Sequence, residues 1–270
     1  MSERFPNPLA IDPLQTALTA ETIATPTGLF VCAASDQAAD VEEQMRQTQL
    51  DVLPVDDRVS AFWVHPRAYP HCTRSVPFLQ PIGAEDLVAA DTPILSLLHL
   101  MVQRERGFYF VLREADVGGI VTYADFNKLL VRAAVFTCVS QVEEALIQML
   151  EAALAGGDAW RDWLGPKDVS VIEKFWRPAR ASGVDLHPIR YASLTQLIRL
   201  CAASPTVAPR LVETVGSNWA ADMEHLRDYA RNPVAHAGKL LVRSLADLAY
   251  LDKACRFAAE FERRRPLCNG

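Results

Sequence analysis

Gly119-Ile120-Val121-Thr122-Tyr123-Ala124-Asp125 is the stretch on which the fold turns. Ile120, Val121 and Thr122 are β-branched and favour extended backbone. Tyr123-Ala124-Asp125-Phe126-Asn127 then opens a helix. Backwards from it, residues 114–117 read as a turn, and the apolar run Phe108-Tyr109-Phe110-Val111-Leu112 reads as a strand. Before that strand a helix is predicted over 93–102, with Asp91-Thr92 as its start signal. Ile94, Leu97, Leu98 and Met101 share one of its faces. Leu87-Val88 is a short apolar element in front of it.

The same order occurs once earlier. Gly28-Leu29-Phe30-Val31-Cys32 reads as a strand. Residues 35–49 carry helical spacing in Ala38, Val41 and Met45. Leu50-Asp51-Val52-Leu53-Pro54-Val55 follows, then a turn at Asp56-Asp57 and a returning strand, Val59-Ser60-Ala61-Phe62-Trp63-Val64. Two strand–helix–strand–strand copies, about 59 residues apart, make an internal repeat over about 20–66 and 80–128. Residues 1–26 hold Pro6, Pro8, Pro13 and Pro26 and read as a leader with a short helix at 14–23.

The two copies resemble a tandem pair of CBS motifs, the module that senses adenosine-containing nucleotides. The signature of that family is a strand pair ending in Gly, two apolar residues, Thr or Ser, two further residues and Asp. Residues 119–125 match it throughout. The resemblance implies a ligand site at Gly119, Thr122 and Asp125. The Thr122 hydroxyl and the following helix start would hold phosphate, and Asp125 would accept both ribose hydroxyls. The first copy departs from the pattern, with Trp63 and Pro66 where Thr and Asp are expected. A degenerate pair used only for dimerisation, with Asp125 as an ordinary helix cap, is the other reading.

From Leu129 onward strand signals stop. A helix is expected over 129–155, with Val135, Val139, Val142, Leu146 and Leu150 apolar, ended by Gly156-Gly157. Residues 156–188 read as irregular, with a short helix at 168–175. Helices follow over 189–203, from Ser204-Pro205 to Gly216, and from Ser217 into Arg231. Ser244 with Asp247 marks the start of a last helix running to Arg265, stopped by Pro266.

Within this region lies Arg231-Asn232-Pro233-Val234-Ala235-His236. Proline disfavours helical geometry in the residue before it, so Asn232 is expected outside the α region or strained. Either one helix ends near Ala230 and another starts at Pro233, or a single helix kinks at Pro233. A restarted helix would bring free N–H groups beside a cation and an imidazole, a combination suited to phosphate. The stretch resembles the HEPN superfamily motif: Arg, a polar residue, a few variable residues, then His. The resemblance implies a helical domain and metal-independent RNA cleavage by 2′-OH attack. His236 would move protons, Arg231 would stabilise phosphoryl charge, and Asn232 would hold the phosphate or the imidazole. Acidic residues on the first helix, Glu143 or Glu144, would face the motif. One histidine per chain implies a homodimer with two motifs across a shared cleft. The plain alternative is a pair of helix-capping or ion-paired side chains.

The 270 residues suffice for two domains, and half are hydrophobic. A net charge of −6 gives no general attraction to nucleic acid, so RNA contact needs a local patch. Arg256 with Arg263-Arg264-Arg265, or Arg227 with Arg231, are the candidates. A solvated helix end is the simpler reading of the arginine run. Six scattered cysteines (Cys32, Cys72, Cys138, Cys201, Cys255, Cys268) without a C-x-x-C pair read as reduced thiols. His65, His71 and Cys72 lack a second ligand pair, so no metal site is expected. With no signal pattern and no long apolar run, a cytoplasmic protein without membrane contact is expected.

The sequence thus reads as α+β: an N-terminal CBS-like α/β pair over 1–128, then an all-α HEPN-like helical bundle over 129–270. The function implied by the two resemblances is a nucleotide-regulated endoribonuclease that needs no cofactor. An adenine nucleotide (AMP, ATP or a cyclic oligonucleotide) would be its effector, with a role in prokaryotic defence or stress. The rival reading is a non-catalytic adenine-nucleotide-binding regulatory or interaction module.

Overall fold

The computed structural model describes residues 18–26, 31–48, 50–55, 60–68, 72–114, 116–236 and 238–264. The expectations for Gly28–Phe30, Asp56-Asp57, Val59, His71, Arg265, Pro266 and Cys268 fall outside these residues. So does the start of the short helix at 14–23, of which Ala20–Ile23 is described as helical.

The chain divides into two compact units. One comprises residues within 12–134 together with Leu240–Asp252, and the other comprises Val135–Lys239 and 253–264 of the described residues. The return of Leu240–Asp252 to the N-terminal part departs from a simple split at 128.

Among the described residues the first unit contains seven short strands: β1 (Thr25–Pro26), β2 (Val52–Pro54), β3 (Ala61–Val64), β4 (Phe78–Pro81), β5 (Leu87–Ala89), β6 (Phe108–Arg113) and β7 (Asp116–Thr122). They form a four-stranded sheet in the order β1-β7-β6-β5 and a three-stranded sheet, β2-β3-β4. β5 runs parallel to β6, and the other pairs are antiparallel. Two helices, α1 (Ala20–Ile23) and α2 (Ala38–Thr48), precede β2, and α3 (Ile94–Gln103) joins β5 to β6.

The second strand–helix–strand–strand copy is present, and of the first the helix and its last two strands are, its opening strand at 28–32 lying mostly outside the described residues; the copies are not self-contained. β1 comes from the first copy and pairs with β7 of the second, Pro26 opposite Gly119. A Cβ on Gly119 would lie 2.9 Å from the Ala24 Cβ and 3.1 Å from the Thr25 carbonyl oxygen. That residue therefore serves the close approach of two backbones. β4 is an element the sequence did not suggest. It ends on Pro81 and has one neighbour, as an edge strand with proline must. The hairpin turn also proves tighter than 114–117, because Arg113 pairs with Asp116.

Strand alternation sends neighbouring residues to two cores. Val52, Phe62 and Val64 meet Phe108, Phe110 and Ile120 across the copies. Phe62 packs edge-on against Phe108 and Phe110 at centroid distances of 5.4 and 5.2 Å. Each such ring pair adds ~0.5–1.5 kcal/mol to the burial itself. Leu53, Val55 and Trp63 face the other way, onto Val41 and Met45 of α2. Trp63 thus fills core at the position where a ligand-binding hydroxyl was sought.

The described residues of the second unit are helical or in turns. α4 (Leu129–Leu154) begins in the first unit and buries Val135, Val139, Val142, Leu146 and Leu150 in the second. It ends at Ala155 and Gly156, both at positive φ, as the Gly-Gly pair predicted. α5 (Pro166–Ala181) is twice the expected length, starting with Pro166 in its first turn and carrying Pro178 near its end. α6 (Leu194–Ala203), α7 (Val207–Val215) and α8 (Trp219–Leu226) follow. Ser193 and Gln196 form a capping box on α6, which separates it from the 3-10 turn Pro188–Tyr191.

After α8 the backbone makes a π turn, Arg227–Arg231, and continues into α9 (Asn232–Ala235). Asn232 has φ −66° and ψ −43°, so it stays in the α region, which excludes the restarted helix and leaves the continuous one distorted next to Pro233. The reason lies one residue on. Pro233 has no N–H and its ring crowds the preceding turn. The π turn relieves this by widening the spiral, so that the Asn232 N–H reaches back to the Arg227 carbonyl. The chain neither ends a helix nor exposes a fresh set of N–H groups there. α10 (Leu245–Arg264) closes the described chain, with the Ser244 hydroxyl accepting from the Asp247 N–H at 3.3 Å.

Candidate functional site

Thr122 ends β7 and Asp125 lies one turn later, in the 3-10 turn Tyr123–Asn127. The Asp125 carboxylate is buried. One oxygen accepts from the Thr122 N–H (2.7 Å) and hydroxyl (3.0 Å). The other meets the Lys128 ammonium at 2.7 Å and the Thr25 hydroxyl at 3.4 Å. A carboxylate offers about four acceptor positions, so all are in use.

Two cavities adjoin this turn within the first unit. The smaller, about 150 Å³, is bounded by Thr25, Pro26, Pro54, Ile120 and Asp125. The larger, about 490 Å³, is bounded by Asp51, Ala68, Phe108, Tyr123 and residues 243–246. Leu50, Val52, Thr122 and Ala124 line both, so the two adjoin at these residues. Gly119 lines neither, consistent with its role between β1 and β7. Sequence reading missed Thr25, Leu50, Val52 and Arg243 as lining residues. Only Ser244 and Asp247 carried a local signal, and it was that of a helix start.

The residues 243–246 reach the cavity because Asn127 holds the chain just before them. Its Oδ1 accepts the N–H groups of Leu241 (2.8 Å) and Val242 (3.1 Å), and its Nδ2 donates to the Val242 carbonyl (2.6 Å). Arg243 pairs with Asp247, Nε to Oδ2 at 3.0 Å, and is otherwise largely exposed. The Arg243 guanidinium holds the Asp247 carboxyl below its usual range.

In the second unit, Arg231 Nε lies 3.4 Å from Glu143 Oε1, so α4 does bring one acidic side chain to the motif. Burial pushes the Glu143 carboxyl above its usual range, against the pull of Arg231. Glu144 is not brought there. Its carboxylate pairs with Arg190 at 3.3 Å, because consecutive helix residues point about 100° apart. Asn232 donates to Asp228 at 3.5 Å, one turn back. His236 is exposed and leaves the helix at φ −121°, ψ 101°.

Several of the basic candidates have acidic partners. Arg263 and Arg264 both pair with Glu260, and Arg227 pairs with Asp228 at 2.8 Å. Cys32, Cys138, Cys201 and Cys255 are buried free thiols, with Cys32 pushed up to about 11 by burial. No helix among the described residues is long and apolar enough to cross a membrane.

No family model matches the chain, and no curated protein does. Three solved structures are similar to part of it. A crystal structure of an uncharacterised conserved protein from Pyrococcus horikoshii is 19% identical, with a TM-score of 0.34, over 43% of this chain and 92% of that one. The CBS domain of a bacterial CNNM/CorC family Mg2+ transporter in complex with ATP is 18% identical, with a TM-score of 0.32, over 42% and 85%. A hexameric CBS-CP12 protein from bloom-forming cyanobacteria is 16% identical, with a TM-score of 0.33, over 63% and 98%.

Proposed function

We propose that the chain is a regulatory module whose first unit binds an adenine nucleotide in the cleft lined by Leu50, Val52, Thr122 and Ala124. The observation that carries this reading is the buried Asp125 carboxylate on the wall of one of two adjoining cavities otherwise lined mainly by apolar groups. Ligand sites combine such a lining, within ~300–1,000 Å³, with a few fixed polar groups. Apolar walls suit a purine, and a carboxylate suits vicinal ribose hydroxyls. A ribose at Asp125 takes over the longest of its present hydrogen bonds, that from Thr25. Calorimetry with AMP, ATP and a cyclic oligoadenylate tests the reading. Asp125→Ala should weaken the best of them by about 1.5–3 kcal/mol, the range for a charged hydrogen-bond partner. Equal affinity in that variant would move the site away from Asp125.

A second reading, a metal-independent ribonuclease acting as a homodimer, is favoured by the pairing of Glu143 with Arg231. A carboxyl raised by burial and a cation beside it are suited to acid–base work and phosphoryl charge. In that reading His236 is the general acid–base group, and the nucleotide of the first unit gates the activity.

A further inference from the structure

The larger cavity is completed by residues that follow the signature turn by more than a hundred positions. Its lining carries two charged residues, Asp51 and Arg243, the latter from the segment that also contributes Ser244, Leu245 and Ala246. The smaller cavity, with Asp125, adjoins it at Thr122 and Ala124. A ligand whose sugar lies at Asp125 and that extends past these two residues meets Arg243, and a group that meets a guanidinium there is anionic.

We propose that Arg243 reads the phosphate end of the nucleotide, making residues 241–246 the sensing arm of the cleft. This rests on the nucleotide reading given above. Arg243 is mostly exposed and, among the described residues, its guanidinium pairs with Asp247 four residues on, through Nε at 3.0 Å and Nη2 at 3.2 Å. Solvent screens the exposed guanidinium, so a phosphate competes with Asp247 for it. The arm is tied to the nucleotide turn itself. Asn127, two residues after Asp125, fixes Leu241 and Val242, the residues just ahead of Arg243. Ligand contact with the turn and with Arg243 thus acts on one connected piece of chain, which continues as α10.

Calorimetry on the full chain with adenosine, AMP, ADP and ATP, in wild type, Arg243→Gln and Arg243→Lys, tests this. Phosphorylated ligands should bind wild type about tenfold or more tighter than adenosine. Arg243→Gln should remove that gain while adenosine affinity stays within about twofold, and Arg243→Lys should keep part of it. Retained adenosine binding shows that the variant folds. If Arg243→Gln keeps the full phosphate gain, or wild type binds all four alike, Arg243 is not the phosphate reader although the nucleotide reading stands. If wild type binds none of the four, this proposal falls, and if it binds no cyclic oligoadenylate either, the nucleotide reading falls with it.

Discussion

Asn127 grips Val242 at both backbone groups, accepting its N–H at 3.1 Å and donating to its carbonyl at 2.6 Å. A side-chain amide has the donor and acceptor of a peptide unit, so it replaces a strand neighbour for this one residue. Val242 and Leu241 are buried, where an unpaired backbone group is costly. This explains why Leu240–Asp252 groups with the N-terminal part of the chain. The buried Asp252 adds a second tie by meeting His99 of α3 at 3.1 Å.

Asn127→Ala is expected to lower the stability of the first unit by about 1–3 kcal/mol, because it strands two buried N–H groups and a carbonyl. Urea unfolding measures the loss. Hydrogen exchange should show faster opening at residues 241–246 than elsewhere in that unit. Unchanged exchange there would mean that other contacts hold the segment.

Gly119→Ala is expected to destabilise the β1–β7 pairing. The new methyl would meet the Ala24 Cβ at 2.9 Å and the Thr25 carbonyl oxygen at 3.1 Å, and both belong to backbone or short side chains that cannot swing aside. Overpacking of this kind costs about 1–3 kcal/mol. Because β1 carries Thr25 and Pro26, nucleotide affinity should fall together with the melting temperature. A variant as stable as wild type would show that β1 shifts freely on β7.

Glu143 gives stability a definite pH dependence. Its folded pKa lies above the usual 4.5, so the native state binds more protons than the unfolded one between the two values. Its favourable contribution is complete below about 4.5 and is lost as pH rises through the folded pKa. Glu143→Gln cannot titrate. Its stability relative to wild type should therefore climb as pH rises from about 4.5 through the folded pKa in paired denaturation curves. A flat difference across that window would show that Arg231 fully offsets the burial.

Sedimentation or light scattering at micromolar concentration should give about twice the chain mass of 29.9 kDa if two motifs form a composite site. A clean monomer removes that mechanism.

For the ribonuclease reading, single-stranded RNA is incubated with protein and with the nucleotide that binds the first unit. His236→Ala should slow cleavage about 10²–10⁴-fold, and Arg231→Ala should do likewise. EDTA should leave the rate unchanged, and products should end in 2′,3′-cyclic phosphate. No cleavage by wild type, where a control nuclease cuts, leaves the regulatory reading alone.

Local rules sufficed for much of this chain. The β-branched run at 120–122, the Gly-Gly stop after α4 and the Ser244 cap each act within a few residues, so spacing and residue type determine them. The repeat of strand, helix and two strands was legible for the same reason. What the sequence left open depends on partners far along the chain. Nothing near Asn127 announces that its amide will hold residues 114 and 115 positions later. Nothing near Arg243 announces a cavity lined by Leu50 and Thr122. The π turn before Pro233 is intermediate. The conflict between proline and helix was visible, but its outcome was set by packing. Trp219, Met223, Leu226 and Ala230 are all buried, and burying them in one helical run outweighs the strain of keeping Asn232 in the α region.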